Sequence, residues 1–338
     1  MIFLCSLYEL YFNKYKLYKL EKIIYIILFL VTALRYDNGS DFRNYYEIFK
    51  NINVMDSNYL EYIFVKVVKL NNLFFNFNFN FILMSGINHI ILYYGMRKVK
   101  YRFIGLFIYL NVFFLPYSFN AMRQSISMAC FLIFVLYNNF WKKIISFIIA
   151  IGFHKVSFYI FILYFFVEKI KPKLKISVIK KVNYLIMPIF FIGLLFSNKI
   201  TLFLSNYINK LKIFIEKDFA LSISGLILRI MLMGIILFYY KKLRNTKLNI
   251  YIFYVIGFLL YGILYSEYMF NTRINMFIRT LEMIIIPEIL YKINSRTSKN
   301  LIFIIIILIL STVYVKEINL DVNKPYKLNY EILNGDRK

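Results

Sequence analysis

Residues 301–315 read LIFIIIILILSTVYV without a single charge, and comparably apolar runs recur at 73–96 and 250–265. A segment of about 20 such residues crosses a bilayer as a helix, and in hydrocarbon only helices and closed barrels satisfy their own backbone. Alternating strand patterns are absent. The chain is therefore expected to be all-α, a polytopic transmembrane bundle of about 11–12 helices. Composition agrees: 61% of residues are hydrophobic and the mean hydropathy is +0.63, leaving a soluble fold too little polar surface to cover its core.

A net charge of +25 in a soluble protein would suggest nucleic acid as a partner. Here the lysines fall in short clusters between apolar runs, the mark of cytoplasmic loops, so the charge reads as topology and no nucleic acid is expected. Cys5 and Cys130 sit in apolar stretches, which suggests neither a disulfide nor a metal cluster. No nucleotide-binding glycine loop appears, and no metal or cofactor is expected. The start has no basic head or small-residue cleavage site, so no cleavable signal is expected.

Placing the basic clusters inside gives spans at 23–36, 73–96, 102–118, 119–138, 141–153, 156–169, 181–198, 221–240, 250–267, 274–292 and 300–315. Residues 2–12 read as a truncated or interfacial helix. Most acidic residues, which played no part in this construction, then land outside. No linker divides the chain, so residues 1–338 are expected to form one membrane domain. Its extracytoplasmic parts are 37–72, 199–220 and a tail at 316–338. Within the first, Tyr59, Tyr62, Ile63, Val67 and Leu70 recur at helical spacing with Glu61, Lys66 and Lys69 turned away, predicting an amphipathic helix in the outer interface.

Charged side chains in membrane helices are costly and mark either a functional path or a buried pair. In SFNAMRQSISMAC, Arg123 and Gln124 lie near the outer end of a helix, where a guanidinium suits an anionic head group. Arg229 lacks an acid in its own segment and needs a partner on another helix or an anion. Arg279 and Glu282, three apart, can neutralise each other, or Arg279 can reach substrate. Arg273 is freer to face a cavity. His154, at a turn between two short helices, is either a packing residue or a proton carrier; His89 reads as packing. With Arg35, Asp37, Asp41, Tyr36, Tyr45 and Tyr46, the expected outer face combines arginine forks for phosphate, carboxylates for sugar hydroxyls and aromatic faces for sugar rings. That set suits a sugar diphosphate carried on a lipid.

The stretch RYDNGSDFRNYYEIF at 35–49 resembles the Arg-Tyr-x-x-Gly-x-Asp-Tyr-x-x-Tyr signature of the EpsG family, Wzy-like polymerases of exopolysaccharide, capsule and O-antigen repeat units. FNAMRQSISMA, GFHKVSF, NTRINMF and KPYKLNY resemble further motifs of that family in the same order. Phe42 replaces the usual tyrosine, and an extra residue separates His154 from Ser157. The resemblance implies a GT-C-like glycosyltransferase in the bacterial cytoplasmic membrane with its active site facing outward. It would move a growing glycan from undecaprenyl diphosphate onto a sugar hydroxyl of a new lipid-linked repeat, alongside a chain-length regulator and a flippase. On this reading Arg123, Asp41 and His154 are catalytic, and Arg35, Asp37, Gly39, Tyr45, Gln124, Arg273 and Arg279 bind substrate. The alternatives are a lipid-linked oligosaccharide flippase and a membrane O-acyltransferase.

Overall fold

The computed structural model describes residues 1–12, 17–55, 60–170, 176–205, 223–243, 247–320 and 326–328. Among them the regular elements are helices, and the one β-type pairing is an isolated bridge between Arg35 and Leu328. Even isoleucine-rich stretches that favour strands in water are helical. A membrane segment must close its hydrogen bonds within itself. Three helical stretches, Arg102–Asn120, Lys181–Phe203 and Arg296–Ile318, are long and apolar enough to cross a bilayer; Ile2–Tyr11, Met122–Leu136, Gly225–Phe238 and Leu248–Ile263 are shorter apolar helices.

In chain order the helices are α1 (Ile2–Tyr11), α2 (Tyr18–Ala33), α3 (Phe42–Asn51), α4 (Tyr62–Phe74), α5 (Phe79–Met96) and α6 (Arg102–Tyr109). A π-helix (Leu110–Asn120) continues α6. Then come α7 (Met122–Leu136), α8 (Phe140–Phe153), α9 (Ser157–Ile170) and α10 (Ile176–Ser205). The last are α11 (Ile223–Phe238), α12 (Tyr240–Leu243), α13 (Leu248–Ile263), α14 (Tyr268–Arg279), α15 (Glu282–Lys292) and α16 (Arg296–Ile318).

Each expected span contains helix, but four are built differently. The run at 73–96 divides, because α4 continues to Phe74 and α5 starts only at Phe79, after a turn in which the Asn78 N–H donates to Asn76 Oδ1 at 3.1 Å. The run at 102–118 turns from α to π: Pro116 has no N–H to give, and Ala121 N–H reaches back five residues to its carbonyl at 3.4 Å. The run at 274–292 breaks at Thr280–Leu281, where Thr280 Oγ1 donates to the Phe277 carbonyl at 2.6 Å. The run at 221–240 divides into α11 and the short α12. Residues 199–205, expected in a loop, are the last turns of α10, and 316–318 complete α16; residues 206–220 of that loop and most of the tail lie outside the described residues.

Packing groups the chain into two compact units, Met1–Phe158 with Asn300–Lys338, and Tyr159–Lys299. In the first, α5 packs against α2, α4 and α7, while α8 lies on α7 and α4. The short α3 presents Phe42, Tyr45 and Phe49 at i, i+3 and i+7 to this core and its charges to the outside. The Phe42 ring stacks on Phe81 at 4.7 Å. Helix α4 buries Phe64, Val65 and Val68 while Tyr62 and Leu70 point out; Glu61, expected with the lysines on the side turned away, is instead buried at its start. Tyr59 lies outside the described residues. In the second unit α13 packs against α10 and α14, and Phe190 stacks on Phe258 at 4.1 Å.

Candidate active site

The loop between α2 and α3 turns back on itself through two left-handed residues, Asp37 at φ 47° and Gly39 at φ +91°. Aspartate tolerates that region; the second position also leaves no room for a side chain, because a β-carbon on Gly39 would collide with Asn120 at the end of the π-helix. Gly39→Ala is expected to cost about 1–3 kcal/mol from backbone strain alone, read as a lowered melting temperature of the detergent-solubilised protein.

A remote segment pins this loop. The Tyr36 N–H donates to the Lys327 carbonyl at 2.8 Å, the Lys327 N–H donates to Asn38 Oδ1 at 2.7 Å, and the Tyr326 hydroxyl donates to the Val31 carbonyl at 2.9 Å. Asp37 is engaged by Arg43 at 3.0 Å and by Lys327 at 3.8 Å. The hydrogen bond from Arg43 holds its carboxyl below the usual carboxylate range. Asp37 thus braces the loop with both carboxylate oxygens.

Arg35, at the loop's start, is fully buried. Its guanidinium lies over the Phe119 ring at 4.6 Å and near Phe81 at 5.8 Å, and Nη1 donates to the Ser118 carbonyl at 3.5 Å. Its Nε and Nη2 have no hydrogen-bond partner among the described residues. Burying such donors unmet is expensive, so a buried guanidinium with two open positions is poised for an acceptor. The π-helix that offers Ser118 and Phe119 is held by a hydroxyl–amide network: Asn88 Nδ2 donates to Ser118 Oγ at 3.0 Å, Ser125 Oγ donates to Asn88 Oδ1 at 3.0 Å, and Tyr109 bonds Ser118.

Arg123, one residue into α7, forms the second centre. Its Nη1 donates to Glu61 Oε2 at 2.6 Å, and its guanidinium lies over Phe64 at 5.1 Å and Tyr45 at 5.8 Å. The other oxygen of Glu61 accepts the Lys155 N–H at 3.3 Å and stands 3.9 Å from His154 Nδ1. One carboxylate thus ties an arginine to a histidine. The approach depends on Gly152, since a β-carbon there would run into Ile63 of α4. The Arg123 N–H donates to the Tyr45 hydroxyl at 3.3 Å, and Arg123 Nε has no acceptor among the described residues.

Tyr45 reaches Arg123 from α3, and Asp41 is the N-cap of that helix. In the first unit Arg35, through Phe81, and Arg123, through Phe64 and Tyr45, thus both border one aromatic cluster, and Gln124 next to Arg123 is buried. Sequence reasoning missed Glu61 because it was read as the wet face of an interfacial helix. Its position as the sole acid immediately before Phe64, Val65 and Val68, the stretch that proves buried, was the available signal.

In the second unit Arg273 is exposed on α14. Arg229 finds the partner it needed on another helix: Glu282 Oε1 at 3.4 Å, with Asn275 Oδ1 at 3.1 Å and the Tyr261 ring at 4.7 Å. Arg279 Nε donates to the same Glu282 oxygen at 3.0 Å, as does the Tyr254 hydroxyl at 3.0 Å. The Arg279–Glu282 pair is formed as the spacing predicts. His89 packs as expected, its Nδ1 2.8 Å from the Ser85 carbonyl.

A sequence model described as the EpsG family matches residues 19–330, nearly the whole chain. No curated protein and no solved structure matches.

Proposed function

We propose a function from this premise: the chain belongs to the EpsG family, a membrane-associated family of exopolysaccharide polymerase type. It polymerises lipid-linked oligosaccharide repeats, transferring the growing glycan from undecaprenyl diphosphate to a sugar hydroxyl of the next repeat on the outer side of the cytoplasmic membrane. The observation that supports this most is the pair of guanidinium groups, Arg35 fully buried and Arg123 partly so, each with a buried N–H that has no acceptor among the described residues. Together they offer open, preorganised donors to phosphate oxygens in a water-poor setting.

In this reading the two arginines hold the diphosphate and stabilise the charge that grows on it as the glycosidic bond breaks. The bond from the anomeric carbon to the diphosphate oxygen breaks, a bond to the acceptor hydroxyl oxygen forms, and the hydroxyl proton passes to Asp41 or His154. Asp41 is the N-cap of α3, on the loop that Arg35 begins, while His154 Nδ1 stands 3.9 Å from Glu61. No nucleotide sugar takes part, because the lipid diphosphate is itself the leaving group.

Deleting the gene in a producing strain is expected to leave single lipid-linked repeats exposed outside the membrane, detected by lipid extraction after labelling of intact cells. Repeats trapped inside would identify a flippase instead. Full-length polymer lacking an ester would identify an acyltransferase.

A further inference from the structure

We propose that the first unit carries a second ligand site, at the opposite end of α5 from Phe81, built for one phospholipid whose head group has a primary ammonium beside its phosphate. Helix α5 has 18 residues, which puts this site about 27 Å from the arginine centres. It is independent of the polymerase reading.

The head-group half is a cavity of about 200 Å³ lined by Glu9, Glu21, Arg97, Lys98, Lys100 and Arg102. Glu9 is satisfied, since it accepts the backbone N–H groups of Arg102, Phe103 and Ile104 at 2.8, 2.9 and 3.3 Å. Glu21 is only half satisfied. Its Oε2 takes Arg102 Nη1 at 3.3 Å, but its Oε1 is buried with no hydrogen-bond partner among the described residues, and the residue is 2% exposed. Arg97, Lys98 and Lys100 form an exposed basic rim beside it. An acceptor short of a donor next to a cationic rim is complementary to a zwitterion: ammonium on Glu21, phosphate on the rim.

The tail half adjoins it. A groove of about 360 Å³, almost wholly apolar, runs between α2 and α5 past Tyr25, Ile26, Phe29, Gly86, Ile90 and Tyr93. Lys22 at its end follows Glu21 in sequence, and Tyr93 lies one helical turn before Arg97. Gly86 keeps the floor open, since a β-carbon there would meet only the Phe29 ring at 3.7 Å. An acyl chain lying in this groove delivers its head group to the cavity. A polyprenyl phosphate or phosphatidylglycerol has no ammonium, so either would leave Glu21 Oε1 unmet and set more negative charge beside it. Phosphatidylcholine has an ammonium that cannot donate.

Native mass spectrometry of the detergent-purified full chain tests this with added phosphatidylethanolamine, phosphatidylglycerol, phosphatidylcholine and undecaprenyl phosphate. Phosphatidylethanolamine is expected to be retained about tenfold better than the others, the effect of one charge-assisted contact. Glu21→Gln should erase that preference, and Gly86→Leu, which fills the groove without touching the polar cavity, should abolish retention of every lipid. Should Glu21→Gln fail to fold, the wild-type preference and Gly86→Leu decide the matter alone. Equal or better retention of phosphatidylglycerol or undecaprenyl phosphate by the wild type, or unchanged retention by Gly86→Leu, overturns the proposal.

Discussion

Arg123→Ala is expected to abolish long-chain polymer, with a fall of about 10²-fold or more in the rate of repeat addition. The side chain is asked to supply fixed positive charge where the leaving diphosphate gains negative charge, and alanine supplies none. A plain loss of signal would be ambiguous, because the substitution deprives the buried Glu61 of its arginine partner, and breaking a buried pair costs up to about 3–5 kcal/mol. The double variant Arg123→Gln, Glu61→Gln removes both charges while keeping shape and hydrogen-bonding capacity. It should reach the membrane at wild-type level on a blot and still make no polymer, as seen by gel electrophoresis of the surface polysaccharide. Normal chain length from that double variant would remove Arg123 from the reaction.

Glu282→Ala should be the most damaging single change in the second unit. Two guanidinium groups, Arg229 and Arg279, together with the Tyr254 hydroxyl, share this one buried carboxylate. Removing it leaves one buried and one half-buried positive charge without their shared partner, a loss of about 3–5 kcal/mol, of the order of a whole domain's stability. The expected result is a protein absent from the membrane fraction or digested rapidly by added protease. Replacing the trio together, as Arg229→Met, Arg279→Met, Glu282→Leu, should restore abundance, because an apolar filling of similar volume serves a buried site as well as an ion network. If the restored protein still makes polymer, Arg279 binds no substrate.

The helical class was legible because it rests on one quantity, apolar length, that the bilayer demands of any chain. The tight loop was legible too, since Gly39 in a polar cluster has few other uses. What resisted reading was where a helix stops for the sake of side chains elsewhere. Pro287 stands in the middle of α15 and looks like the natural break in 274–292, yet the chain parts at Thr280–Leu281. The threonine hydroxyl bonds back to Phe277 there, and Arg279 and Glu282 meet across the break. Likewise Pro116 foretells a disturbance, but not that the turns on both sides of it widen to a π-helix carrying Ser118 and Phe119 to Arg35. Glu61 was hidden for a related reason. Helical periodicity reports that a helix has two faces and is silent on which one a neighbouring arginine occupies.

The tie between Asn38 and Lys327 spans 289 positions of sequence. A ribosome must therefore have added residue 327 before the strap beside Arg35 exists. Copies stalled or cleaved during synthesis carry the early arginines without that closure. Closure of the loop that begins at Arg35 is thereby postponed to a late stage of synthesis.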